Sequence, residues 1–409
     1  MGIDGERLLE LHSKLILKSL VVVDPTLSPA RYRLLETVRE FALELLRARG
    51  EEADARTAHL RHFVQLAGRS HRDILDGRVD EWLARLSHEH ANIDGALSWA
   101  KADGADDEAA LCLAGALMLY GKSHGLLWLL AEWAERALDG VMPEASQTYV
   151  RALLCSGVFK LHVQDPGIEP RLTRTVALAA RLGDRWAQGC ASAYLAMWHA
   201  NLGQLEAAQA RAAVAAELAE AEADDWLRSL AGLARGWIAI QCGRHDEAVA
   251  TLRPLRRKSF DLHQHTMIDM YLALSCFCLG RLQEAADSGA DVIDLSTRTR
   301  HLRSHAGAIE LASYLAMRTA KPEICARLLG KAAAIRERTL APLFSFWIAH
   351  HEDAIHLARR ELGETQFEAI FATGEAARDE LVIEEARALL CQIAEADSRT
   401  PDSALPGTD

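Results

Sequence analysis

The sequence predicts an all-α protein built as an array of stacked helical hairpins, and three observations carry that expectation. Half of the 409 residues are apolar while prolines number only 10, so strong helix formers run in long stretches with few breaks. From about residue 52 onward one pattern recurs, a helix of roughly fifteen residues, a short turn and a second helix. Finally, the turn glycines Gly203, Gly243 and Gly280 stand 40 and then 37 residues apart, a period at which each unit must stack on its neighbours to bury its apolar face.

The first fifty residues follow a different pattern. Leu8, Leu9, Leu11, Leu15, Ile16 and Leu17 recur at helical spacing, and Ser19-Leu20-Val21-Val22-Val23 then reads as a strand. A turn through Asp24, Pro25 and Thr26 leads to Arg31-Tyr32-Arg33-Leu34 as the returning strand, and Glu36 to Arg49 resumes helix, stopping at Gly50. Helix, hairpin and helix make the end of a winged-helix unit, whose usual opening helices find no room ahead of Met1. The expected organisation is a partial winged-helix unit over 1–50, a helical solenoid over 51–396 and a disordered tail over 397–409, where Pro401, Pro406 and Gly407 gather.

Alignment on the three glycines tests the repeat. Seven positions before each turn stand Ala196, Gly236 and Ala273, and five after stand Ala208, Ala248 and Ala285. Small side chains in both columns are what close approach of two antiparallel helices requires, and the array is TPR-like with a period slightly above the usual value of about 34. Further hairpins fall at about 148–182, broken at Asp165-Pro166-Gly167, and at 301–338, with Pro322 opening the second helix. Residues 341–396 read as further helices with a break near Gly374.

A formal net charge of -12 opposes a direct nucleic-acid partner, which needs a clustered basic surface to displace counterions. The run Arg253, Arg256, Arg257 and Lys258 reads as a solvated helix terminus, where cations meet the negative dipole end. The eight cysteines form no Cys-x-x-Cys and read as small core residues of a reducing, cytoplasmic protein. No apolar run reaches membrane-spanning length, and no signal-peptide order opens the chain.

The stretch Arg31-Tyr32-Arg33-Leu34-Leu35-Glu36-Thr37-Val38-Arg39-Glu40-Phe41-Ala42 closely resembles the junction after the winged helix in large bacterial signal-transduction ATPases of the STAND class, among them LuxR-type and antibiotic-regulatory-protein-type transcription regulators. Trp82-Leu83, Glu89-His90-Ala91-Asn92-Ile93, Ala96-Leu97 and Trp99-Ala100 resemble the next landmark of that family. Ala326-Arg327-Leu328-Leu329-Gly330, Leu362-Gly363-Glu364, Phe367, Gly374 and Glu384-Glu385-Ala386 resemble its closing segment. The resemblance covers about residues 8–390 and implies a remnant winged helix followed by a TPR-like sensor array. It does not bring the family's ATPase or promoter binding, because the modules for both are missing from this sequence.

Motifs for chemistry fail on spacing. Gly115 through Gly121-Lys122-Ser123 imitates a phosphate loop, but Ala116 stands where the first glycine belongs and helix, not strand, precedes it. His351-Glu352 with His356 puts its histidines five apart, on different helix faces, and His301 with His305 or His59 with His62 offers two metal ligands without a third. His88-Glu89-His90 and His263-Gln264-His265 likewise divide between faces. No Gly-x-Ser-x-Gly elbow or Cys–His pairing indicates covalent catalysis. Glu36 and Asn92 read as capping or interhelical hydrogen-bonding residues. No catalytic, cofactor or metal residue is therefore assigned.

The inner face of the array is more informative. Six residues before each turn come Met197, Trp237 and Leu274, three before come Ala200, Ile240 and Phe277, and two before come Asn201, Gln241 and Cys278. An apolar face with a thin polar edge is either filled by packing or forms a pocket for a hydrophobic small ligand or an amphipathic protein partner. Met197, Asn201, Trp237, Gln241, Leu274 and Phe277 are the candidate binding residues of a non-catalytic sensor or adaptor. An enzyme recruited from the same scaffold for a hydrophobic metabolite, and one half of a split transcriptional regulator, are the alternatives.

Overall fold

A computed structural model describes residues 5–24, 30–102, 106–142, 146–162, 165–256, 261–339, 341–343 and 345–396. Pro25, Thr26, Arg257, Lys258 and the tail over 397–409 lie outside the described residues. The chain divides into two compact units, residues 1–62 and 63–409.

In the first unit, α1 (Gly5–Leu17) leads into a two-stranded antiparallel hairpin of β1 (Val21–Asp24) and β2 (Arg31–Leu34), in register Val21 opposite Leu34 and Asp24 opposite Arg31. Next comes α2 (Glu36–Ala48), closed by Gly50 in the left-handed region at φ +71°. Glu36 pairs with Arg39 one turn along the same helix. Val21 is buried, but Leu8, Leu9, Leu17 and Phe41 are exposed and α2 buries no residue. The helix α3 (Glu52–Leu75) runs across the division between the units.

Among the described residues the second unit contains helices and no strand. It continues through α4 (Val79–Leu86), α5 (His90–Lys101), α6 (Asp107–Ala116), α7 (Met118–His124), α8 (Leu127–Leu138), α9 (Gln147–His162) and α10 (Ile168–Leu182). The regular hairpins follow as α11 (Arg185–Asn201) with α12 (Leu205–Ala221), and α13 (Asp225–Gln241) with α14 (His245–Leu252). Next come α15 (Leu262–Cys278) with α16 (Leu282–Thr299), and α17 (Leu302–Arg318) with α18 (Pro322–Thr339). The closing helices are α19 (Ser345–Leu362), α20 (Glu364–Ala376) and α21 (Asp379–Ala394). Among the described residues no helix is long and apolar enough to cross a membrane.

The repeat has a clear physical basis. Gly203, Gly243 and Gly280 adopt φ of +72°, +68° and +74°, the left-handed conformation that closes a helix and that glycine enters without a Cβ penalty. Each closes its helix the same way. At the first, the amide of Gly203 donates to Ala200 at 3.0 Å and that of Gln204 to His199 at 2.8 Å. A fourth hairpin repeats this geometry without glycine: Ala320 sits at φ 55°, with Lys321 donating to the Ala316 carbonyl at 2.8 Å. Carried into that hairpin, the small-residue columns fall on Ser313 and Cys325, both wholly buried.

The two helices of each hairpin differ in role. Along α11 the residues from Gly189 to Ala200 are all buried, as expected for a helix enclosed on every side. Its partner α12 buries only the stripe Ala208, Ala212, Ala215 and Ala219, one face of an outer helix. Successive first helices carry Asp184, Asp224 and Asp261 as N-caps, and α17 carries His301 instead. The array also returns on itself, with Arg298 of α16 pairing with Asp80 of α4 at 2.5 Å.

The structure refines three expectations. The break expected near Gly374 falls at Ala377–Arg378, between α20 and α21, and a further one at Gly363, φ +80°, separates α19 from α20. Gly374 is inside α20, where an added Cβ would lie 2.0 Å from the Arg327 carbonyl oxygen, so it is a close-packing glycine. The arginines after α14 are not merely solvated: Arg253 pairs with Glu284, and Arg256 pairs with Asp291 and with buried Asp269 at 2.7 Å. Asn92 bonds Glu89 at 2.7 Å, a local contact at the start of α5.

Candidate functional site

The inner helices α11, α13, α15 and α17 present their side chains to one interior space, and α19 lies across it. Phe346 stacks edge-on against Trp237 at 5.2 Å, Trp347 lies 5.6 Å from Tyr314, and His350 lies 5.5 Å from Phe277. Side chains of α19 therefore pack onto inner-face residues of α13, α15 and α17. A cavity of about 90 Å³ is left, measured as the room open to the centre of a water-sized sphere. One water needs only ~10–15 Å³ by that measure.

Its walls are mainly apolar and aromatic, with Met197, Leu230, Leu233, Trp237, Tyr271 and Trp347 among them. Polar groups reach it as well. Lys122 comes from α7; His263, His301, Arg303 and Ser304 come from the N-terminal ends of α15 and α17, and Arg336 comes from α18.

Lys122 is the least expected of these. It is only 2% exposed, donates a hydrogen bond to the Tyr194 hydroxyl, and holds its ammonium 4.9 Å from the Tyr194 ring centre and 5.7 Å from that of Trp226. Burial pulls its pKa down, with the field of Asp261 acting in the opposite sense. Burial likewise drives the Tyr194 hydroxyl well above its ordinary value, so it stays protonated. Aromatic faces offer the ammonium partial compensation for lost water.

Arg336 is held differently. Its guanidinium forks onto the fully buried Glu310, with Nε at 2.5 Å from one carboxylate oxygen, and it also donates to the Pro342 carbonyl at 3.1 Å. Arg303 is pushed down to about 10, first by burial and then by the positive charge of Arg336. The His301 ring caps α17 by accepting the Ser304 amide at Nδ1, 3.2 Å away. A neutral ring accepting there carries its proton on Nε2.

The six residues expected at the binding face separate into three groups. Met197 and Trp237 line the cavity. Asn201 and Gln241 form a polar strip: the Asn201 side-chain oxygen accepts from the Trp237 indole and from Gln241, each at 2.8 Å, tying α11 to α13. Leu274 is completely buried and does not line the cavity, whereas Phe277 lines a separate cleft with Cys278, Tyr314 and His350. Sequence reasoning missed Lys122, Arg303 and Arg336. The one sequence signal for Lys122 is a lysine inside the apolar helical stretch around Gly121-Lys122-Ser123, whose spacing does not make a phosphate loop.

No family model matches the chain. Relatives in Mycobacterium bovis and two strains of Mycobacterium tuberculosis, each named "Putative HTH-type transcriptional regulator", are 32% identical over 240 residues. The match covers 55% of this chain but 26% of each relative, so the chain spans about a quarter of their length. Among solved structures, a STAND protein with a tetratricopeptide repeat sensor from Pyrococcus horikoshii aligns with 94% of this chain and 61% of its own, at 14% identity and a TM-score of 0.44. The mycobacterial relatives carry a name of the kind that the sequence resemblance implies.

Proposed function

We propose that this chain is the ligand-sensing part of a bacterial transcription regulator, a non-catalytic helical array that takes a small molecule into the cavity behind α19 and acts in the cytoplasm. The mycobacterial relatives support the regulatory part of this reading. The observation that carries the sensing part is the cavity itself: an interior space walled by helices from successive hairpins and covered by a helix that follows them. A ligand there touches α7, α11, α13, α15, α17 and α19 at once. Binding that favours one arrangement of those helices shifts the array toward it.

Native mass spectrometry of the protein purified from its own cells tests this. The expected spectrum shows an adduct of small-molecule mass that Trp237→Ala loses while circular dichroism stays helical. An adduct retained at equal occupancy in Trp237→Ala would place the ligand elsewhere and refute the assignment.

A protein-partner reading has its own support in the first unit, where Leu8, Leu9, Leu17 and Phe41 are 56%, 68%, 85% and 59% exposed. Such surface suits packing against another domain. Co-purification of a regulator subunit, lost on Leu9→Glu with Phe41→Glu, is the result this reading expects.

A further inference from the structure

Resting on the sensor reading, we propose that the cavity recognises an anionic amphiphile, an apolar body carrying one carboxylate-type head whose negative charge sits against Lys122. The argument begins with what Lys122 lacks. Its ammonium has three donors, and among the described residues it makes one hydrogen bond, to Tyr194, and no ion pair. Burial disfavours this charge, and the field of Asp261 offsets that only in part.

Neighbouring carboxylates are already engaged. Asp261 accepts the Trp226 indole N–H at 2.8 Å and the His263 amide at 2.8 Å as the cap of α15. Glu310 is taken by Arg336. The other charged groups lining the cavity, Arg303 and Arg336, are both cationic.

Element geometry adds to this. His301, Arg303 and Ser304 stand at the cap and in the first turn of α17, where the positive helix-dipole end lies. The α17 cap is an imidazole, whereas the three preceding inner helices are capped by aspartates that offset their own dipoles. The remaining walls, with Met197, Leu230, Leu233, Trp237 and Trp347, accept only an apolar body. A neutral ligand brings no negative charge to the ammonium's unfilled donors, and a cationic one is repelled by it.

Isothermal titration of the full chain with three probes of one shape decides the matter: 3-phenylpropanoate, 3-phenylpropanamide and 3-phenylpropylamine, near neutral pH. The carboxylate is expected to bind about tenfold or more tighter than the amide, as charge-assisted hydrogen bonds exceed neutral ones, and the amine weakest. Lys122→Met is expected to bring the carboxylate down to the amide's affinity and leave the amide unchanged. Equal wild-type affinities for carboxylate and amide, or a preference for the amine, would refute the anionic head while the sensor reading stands. A carboxylate preference that survives Lys122→Met would refute the role of Lys122. Absence of binding by all three to folded wild-type protein would refute the anionic amphiphile, while the sensor reading is decided separately by the native adduct. If Lys122→Met does not fold, the wild-type comparison of carboxylate and amide still decides the charge of the head.

Discussion

Buried charge is handled in contrasting ways at individual residues of the second unit. Asp269 on α15 is fully buried, 2.7 Å from Arg256 and 3.3 Å from the His265 ring. Burial raises its carboxyl to about 7, with Arg256 acting downward and Asp291 and Asp287 upward. His71 and His305 are displaced the other way, to about 4, by burial. A carboxyl raised above its unfolded value, ~3.9, binds more protons in the folded state, so its contribution to stability falls as pH rises from about 4 to about 7. The histidines oppose this, losing stability as pH falls from about 6.5 toward 4. Asp269→Asn should isolate the first effect. In thermal melts at pH 5 and pH 8 the difference between variant and wild type should move in the variant's favour at the higher pH. A pH-independent difference would mean that Asp269 is already ionised at pH 5 in the folded protein.

At the scale of elements, the repeat was legible because its determinants are local. Gly203, Gly243 and Gly280 mark the turns through a backbone conformation that glycine favours, and the alanine columns mark close approach. The fourth hairpin was harder to register because Ala320 occupies the same left-handed turn without the glycine signal. Holding an alanine there costs roughly 1 kcal/mol, so Ala320→Gly is expected to stabilise the protein by about that amount. Chemical denaturation would show a higher midpoint at unchanged slope; no change would mean that the turn relaxes in solution. Gly374 lies close to the break that ends α20 but serves first as a packing residue. A glycine in a helix pattern signals either a stop or a close approach. Only the packing of α20 on α18, where Gly330 would place a Cβ 2.1 Å from the Phe371 carbonyl oxygen, tells which applies.

Across the whole chain, legibility falls as sequence separation grows. Met197 and Trp237 were placed at the inner face by a register that repeats every hairpin, and both line the cavity. Lys122 meets Tyr194 across 72 positions and Arg336 meets Glu310 across 26, so neither contact leaves a periodic trace. The coverage by α19 belongs to the same class, since nothing in its own composition says which face it will lie on. The unequal burial along the chain carries a further consequence. α2 buries no side chain, whereas α11, α13, α15 and α17 are enclosed almost throughout. Segments with few buried apolar contacts open at low free energy. Hydrogen exchange followed by mass spectrometry should therefore find the amides of residues 36–48 exchanging well before those of 187–200, 226–240 and 304–316. Equal protection of 36–48 would show that the exposed face of α2 is covered in solution by a partner, because nothing within that helix shields it.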